Sequence, residues 1–149
     1  MSKQSEMLAS LATRSVKKFF GFRGLWIEPV TLTADDSEVV GLNVIPGMAT
    51  VVEVTGVTND ANDFIVLPAL SSVPNGHTIT VITNAGANHE IRTPAASGEE
   101  INSEDCDGTK EYLMTDTQIH YFVKINSTIG WMAHGKTAIG AAVTPVVPD

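Results

Sequence analysis

The stretch "QIHYFVKI", residues 118–125, decides how the chain is built. Apolar and polar residues alternate along it, which is the signature of a strand with one buried face. Ile119, Tyr121, Val123 and Ile125 fall on one side; His120, Phe122 and Lys124 fall on the other. Hydrophobicity predicts that the first set faces the core. Phe122, among polar neighbours, is then expected on a second surface such as a subunit contact.

The same texture runs outward in both directions. "PVTLT" (29–33), "TVVEVTGV" (50–57), "FIVLP" (64–68), "TITVIT" (78–83), "EYLMT" (111–115) and "GWMAHG" (130–135) are short runs rich in Val, Ile, Thr and aromatics. In "TITVIT", Ile79 and Val81 share one face and Thr78, Thr80 and Ile82 the other. Turn signals separate the runs: "IPGM", "NDAND", "VPNGH", "NAGAN", "DCDGT" and "NSTIG". No internal repeat is visible. The expected fold is all-β, an antiparallel β-sandwich or barrel-like roll spanning residues 29–142.

Two segments stand apart from that body. Residues 1–28 read as an N-terminal helical or extended arm, with Leu8, Leu11, Ala12, Ser15 and Phe19 at helical spacing before Gly21 and Gly24. Residues 143–149 read as an extended tail, because Pro145 and Pro148 oppose a helix. Charge divides the chain in the same way. The protein has 149 residues and a net charge of -8, yet residues 1–24 carry +4 and the remainder -12. A basic arm on an acidic body is suited to an acidic partner surface. Arg14, Lys17, Lys18 and Arg23, interleaved with Phe19, Phe20 and Trp26, are the candidate docking residues. The acidic body disfavours nucleic acid. No run reaches the length of a membrane span, and Lys17 and Lys18 interrupt what a secretory leader would need.

Catalytic and metal motifs are weak. "INSEDCDGTKEY" (101–112) surrounds the only cysteine, Cys106, with Glu104, Asp105 and Asp107. As a calcium loop begun at Ser103 it fails at its twelfth position, which is Met114. Neighbouring carboxylates disfavour a reactive thiolate. A hairpin turning at Asp107-Gly108, anchored by Ile101 and Tyr112, is the plainer expectation. His77, His89, His120 and His134 form no close metal pair and are expected on strand surfaces. "DDSE" (35–38) and "GEE" (98–100) are expected to be solvated loops, and Asn126-Ser127-Thr128, a formal glycosylation sequon, to be a turn. No metal, cofactor or catalytic residue is therefore expected.

One resemblance adds to this. The run "FIVLPALSSVPNGHTITVITNAGANHEI", through Leu67, Pro68, Gly76, Thr80 and Asn84, resembles small β-modules of tailed-bacteriophage virion proteins. "YFVKINSTIGWMAHG", with Gly130 and Trp131 entering the last strand, resembles their closing hairpin, and "KTAIGAA" their small-residue tail. The resemblance covers about residues 29–142 and leaves the basic arm outside it. It implies a head-decoration (cement) protein, forming a homotrimer on the capsid exterior and bracing major capsid protein subunits, with no catalytic residues. A tail-fibre or appendage module that binds a host receptor or glycan through an exposed Trp131 or Tyr121 is the competing expectation. An enzyme built on the acidic loops is the third.

Overall fold

The computed structural model describes residues 28–60, 62–108 and 112–143. Its strands are β1 (Val30–Ala34), β2 (Val51–Val57), β3 (Phe64–Val66), β4 (Thr78–Thr83), β5 (His89–Arg92) and β6 (Glu100–Ile101). They continue as β7 (Glu104–Asp105), β8 (Tyr112–Met114), β9 (Gln118–Asn126), β10 (Gly130–Thr137) and β11 (Ala142–Val143). A single 3-10 turn, Leu70–Ser72, interrupts them, and no α-helix occurs among the described residues. The all-β expectation holds, and each of the seven quoted runs coincides with a strand. The arm of residues 1–28 lies outside the described residues except for Glu28, as does the tail beyond Val143. Val143 itself belongs to β11, paired with β10.

The strands form two mixed sheets. The larger has the order β1-β2-β4-β9-β10-β6-β7, with β11 on β10; the smaller has the order β3-β5-β8. β1, β2 and β4 are parallel to one another, whereas β4, β9 and β10 are antiparallel. Parallel neighbours require a long crossover, and here the chain supplies it by coiling. It passes from β1 through Asn43–Ile45, then β2, β3, β4 and β5, alternating between the sheets. Val44 bridges Val66 in parallel, and β3 pairs β5 in parallel. Ile45 N donates to Val66 O and Leu67 N to Arg92 O, so each coil hydrogen-bonds to the next. The result is a short solenoid-like stack. β8 and β9 then return antiparallel to β5 and β4 and close it. Antiparallel pairing, expected throughout, is instead mixed with parallel pairing, which joins β1, β2 and β4 and links β3 to β5.

Stacked rows of side chains fill the space between the sheets. Val30, Val52, Val81 and His120 stand in register across four strands, as do Leu32, Val54 and Thr83 across three. Ile65, Ile91 and Tyr112 oppose them from the smaller sheet. Apart from the strand-end Val30, all of these are buried. Each such aliphatic side chain contributes roughly 1.5–3 kcal/mol by leaving water. The partners are spaced unevenly along the sequence, since Val30 meets Val52 but Val52 meets Val81. A stack of unequal coils leaves no fixed period, which is why no repeat is legible.

β9 is reversed relative to expectation. His120, Phe122 and Lys124 point inward and are buried, while Ile119, Tyr121 and Val123 are half-exposed and Ile125 is exposed. The inward polar groups are satisfied, which removes the usual penalty for burying them. His120 Nε2 lies 2.8 Å from the Gln118 side-chain oxygen and so carries the proton. Its Nδ1 therefore accepts from Tyr112 Oη at 2.7 Å. Lys124 Nζ donates to Leu70 O and Val73 O at 2.5 and 2.6 Å, pinning the 3-10 turn. Gly135, opposite His120, leaves the ring its room; a Cβ there would stand 2.5 Å from the ring carbon Cε1. Phe122, far from being a subunit contact, packs edge-on against Tyr112 in the core.

The acidic stretch around Cys106 is also rearranged. Ile101 and Tyr112 are core anchors as expected. The tight turn, however, falls at Asn102 and Ser103, both at positive φ, between β6 and β7. Positive φ at both central residues is what a two-residue type I′ hairpin turn requires. Asp107-Gly108 is a second bend, and Cys106 between them is fully buried.

Candidate functional site

Because β9 turns its polar residues inward, the outer face of the large sheet carries aliphatic and aromatic side chains among its threonines and charged residues. Val51, Thr80, Tyr121 and His134 form one outward row across β2, β4, β9 and β10. Thr78, Val123 and Met132 form the next, and Glu53, Ile82, Ile119 and Lys136 the one on the other side. Met132 is 46% exposed, and Ile125 and Ile129 at the rim are 38% and 42% exposed. Half-exposed Val51, Ile82, Ile119, Tyr121 and Val123, with exposed Met132, lie on adjoining strands and so form a patch rather than scattered single residues. Tyr121 stacks on His134 at 5.1 Å between centroids and 24° between planes, giving the patch a flat aromatic centre. At one end it opens into a trough of about 380 Å³ lined by Glu53, Ile82, Asn84, Gln118, Ile119 and Thr137, among others.

A second, smaller hollow of about 280 Å³ lies beside the 3-10 turn and includes Ser71, Glu99, Glu100, Ser127 and Thr128 in its wall. Glu99 is not a solvated loop residue: its Oε1 accepts from Leu70 N at 2.9 Å, and burial pushes its carboxyl above the usual range. Lys124 and Glu99 thus hold the same turn from two sides. Asp35 is likewise engaged. Hydrogen bonds from the Ser37 hydroxyl and backbone, and from Thr58, hold its carboxyl below the usual range. Asn126 acts as the expected turn residue, accepting from Thr128 N and Ile129 N.

The histidines divide into two kinds. His89 and His120 are fully buried, contrary to the surface placement expected for them, and burial lowers both to about 4. His77 and His134 stay partly or fully accessible. No group of three or more metal-ligating side chains occurs among the described residues. Trp131, considered above as a sugar-stacking residue, is fully buried, whereas Tyr121 remains available.

The docking residues expected from sequence, Arg14, Lys17, Lys18, Phe19, Phe20, Arg23 and Trp26, lie outside the described residues. What sequence reasoning missed is the patch itself, because its residues were assigned to the core. The overlooked signal was Gly135 in "GWMAHG": a glycine within a strand marks a close approach from its neighbour, here the His120 ring. No protein-family model matches the sequence, and no curated protein matches it.

Proposed function

We propose that the protein is a structural binding module of a phage virion. In this reading it is a capsid decoration (cement) protein that occupies the capsid exterior and bridges major capsid protein subunits, itself assembling as a homotrimer. The observation that supports a binding role is the cluster of Tyr121, Val123 and Met132 on the outer face. A sheet face with an aromatic centre and a polar rim of Glu53, Gln118 and Lys136 has the composition of a protein interface. The charge-distinct arm adds a second contact. Arg14, Lys17, Lys18 and Arg23 would steer the module to acidic shell surfaces, with Phe19, Phe20 and Trp26 as anchors. The virion assignment rests on the resemblance of residues 29–142. No cofactor is required and no chemistry is assigned. The test is occupancy on capsids stripped of the protein: deletion of residues 1–28 and, separately, Val123→Lys should each lower it at least tenfold. Full occupancy by both variants would remove the proposal.

One observation favours a second reading. The Tyr121–His134 stack adjoins a trough bearing Glu53, Asn84 and Gln118, the planar polar groups and aromatic face that suit a sugar. An appendage module binding a host glycan would show saturable binding on a glycan array, lost in Tyr121→Ser.

A further inference from the structure

The three rows of the outer face hold one carboxylate and one ammonium, and both fall in the same row. Thr31, Glu53, Ile82, Ile119, Lys136 and Ala142 stand in register across β1, β2, β4, β9, β10 and β11. Glu53 and Lys136 therefore flank two isoleucines. They stand three strand spacings apart, about 14 Å, and neither makes an ion pair among the described residues. The row has a simple symmetry. A two-fold axis in the plane of the face, running along the strands midway between β4 and β9, exchanges Glu53 with Lys136, Ile82 with Ile119 and Thr31 with Ala142. The neighbouring row follows it, with Thr80 exchanging for Tyr121 and Val51 for His134. Such an axis relates two copies of a chain that meet through the same surface.

We propose that two copies of the protein meet face to face through this sheet, related by that axis. Sheets packed in this way lie about 10 Å apart, a gap that a glutamate and a lysine reaching from opposite sides close. Glu53 then pairs with the partner's Lys136, and Ile82 packs on the partner's Ile119. Tyr121 lies over the partner's Thr80 rather than over its own counterpart, so two tall aromatic side chains do not collide at the centre. Three observations select a second copy as the occupant. The row is its own complement in charge, whereas a face of single sign needs a foreign partner. The chain carries a net charge of -8, so its copies repel wherever acidic loops approach; these rows, with one charge of each sign, let them meet without that repulsion. Six strands about 4.8 Å apart and three rows about 6.6 Å apart cover up to about 29 by 20 Å, or about 1,150 Å² for the pair. That extent belongs to weak, reversible complexes. The pairing is two-fold, is separate from the three-fold assembly proposed above and does not rest on the virion reading; a shell that takes the same face competes with it.

The test is sedimentation equilibrium of the full-length protein from low micromolar to near-millimolar concentration. The mass should double across that range, with a dissociation constant on the order of 10–100 micromolar. E53K sets lysine against lysine and K136E sets glutamate against glutamate, so each should weaken association at least about tenfold. The double exchange E53K/K136E should restore it to within about threefold, and an equimolar mixture of the two single variants should form a mixed dimer. Both positions are half-exposed, so circular dichroism should stay native throughout. The wild-type protein supplies a second measurement: a carbodiimide, which joins carboxylate to amine, should give a dimer-mass product linking the Glu53 peptide to the Lys136 peptide. A constant mass over the whole range, or the absence of that crosslink at the highest concentration, would overturn the proposal. A dimer indifferent to either single reversal would place the contact elsewhere on the chain and overturn it as well, as would a natively folded double exchange that fails to associate.

Discussion

Acid should weaken this fold well above the range where carboxylates titrate. His89 and His120 are buried and neutral, each lowered by burial from 6.5 to about 4. In the unfolded chain both return to the ordinary value, so the unfolded state binds protons first as pH falls. The sign follows: the contribution is complete above pH 6.5 and is lost progressively towards about pH 4. At about pH 5 an ordinary histidine favours its protonated form by about thirtyfold while the buried one is still mostly neutral. That difference is about 2 kcal/mol per histidine and about 4 kcal/mol for the pair. Glu99 acts in the opposite sense, since its raised carboxyl is relieved by acid, but its site is partly open and the two histidines dominate. Urea unfolding measures the net effect. With a slope of about 2 kcal/mol per molar, the midpoint should fall by about 2 M between about pH 7.5 and pH 5. Proton NMR of the imidazole carbons supplies the site assignment, with the His89 and His120 signals unshifted down to about pH 5. An unchanged midpoint over that interval, or both signals titrating between about pH 6 and 7, would refute the argument that these rings are locked neutral in the core.

Other substitutions probe separate parts of the fold and the patch. Gly135→Ala places a methyl against the His120 ring, which Tyr112 and Gln118 hold in place, and should cost about 1–3 kcal/mol in thermal or urea unfolding. Gly130→Ala should cost more, because the residue sits at φ +78° and its Cβ would meet the backbone carbonyl of Glu100, which cannot rotate away. Lys124→Met strands the carbonyls of Leu70 and Val73 and should lower unfolding free energy by about 3 kcal/mol, with faster amide exchange at the 3-10 turn. Tyr121→Ser should leave stability within about 1 kcal/mol, measured by melting, while abolishing whatever binding the outer face supports.

Strand positions were legible because the local signal is strong: β-branched runs such as "TITVIT" between Gly and Asn turns admit few alternatives. Alternation alone put Ile79 and Val81 on one face, and it is that face which is buried. Topology was not legible, because parallel stacking depends on which coil lies on which. That choice is made by long-range registers such as Val52 with Val81. β5 escaped notice since "HEIR" looks polar. Its Glu90 and Arg92 pair at 2.8 Å, and Arg92 covers Phe64 at 4.2 Å, so the charges are accommodated within a buried sheet. The buried histidines were missed for a related reason: partners such as Tyr112 and Thr83 come from other strands. The candidate patch was lost through the face assignment of β9, an error that hydrophobicity counting makes whenever satisfied polar groups occupy the core.

That reversal is also what gives the patch its meaning. A strand's two faces exchange as a set, so slipping β9 by one residue would bury Ile119, Tyr121 and Val123 and expose His120 and Lys124. Such a register would suit an isolated subunit better by simple transfer energies. The chain instead buries a lysine and a histidine, satisfies each with specific partners, and fits a glycine opposite the ring. These features fix the register: His120 needs Tyr112 and the space at Gly135, and Lys124 needs the carbonyls of Leu70 and Val73. Their consequence is that Ile119, Tyr121 and Val123 face outward, beside Met132 and His134, where β9 pairs with both β4 and β10. A face whose register is fixed in this way would lose little entropy if it met a partner. The same interactions that hold the core therefore set the outward face, and Gly135→Ala should disturb both together, whereas Tyr121→Ser should alter only the second.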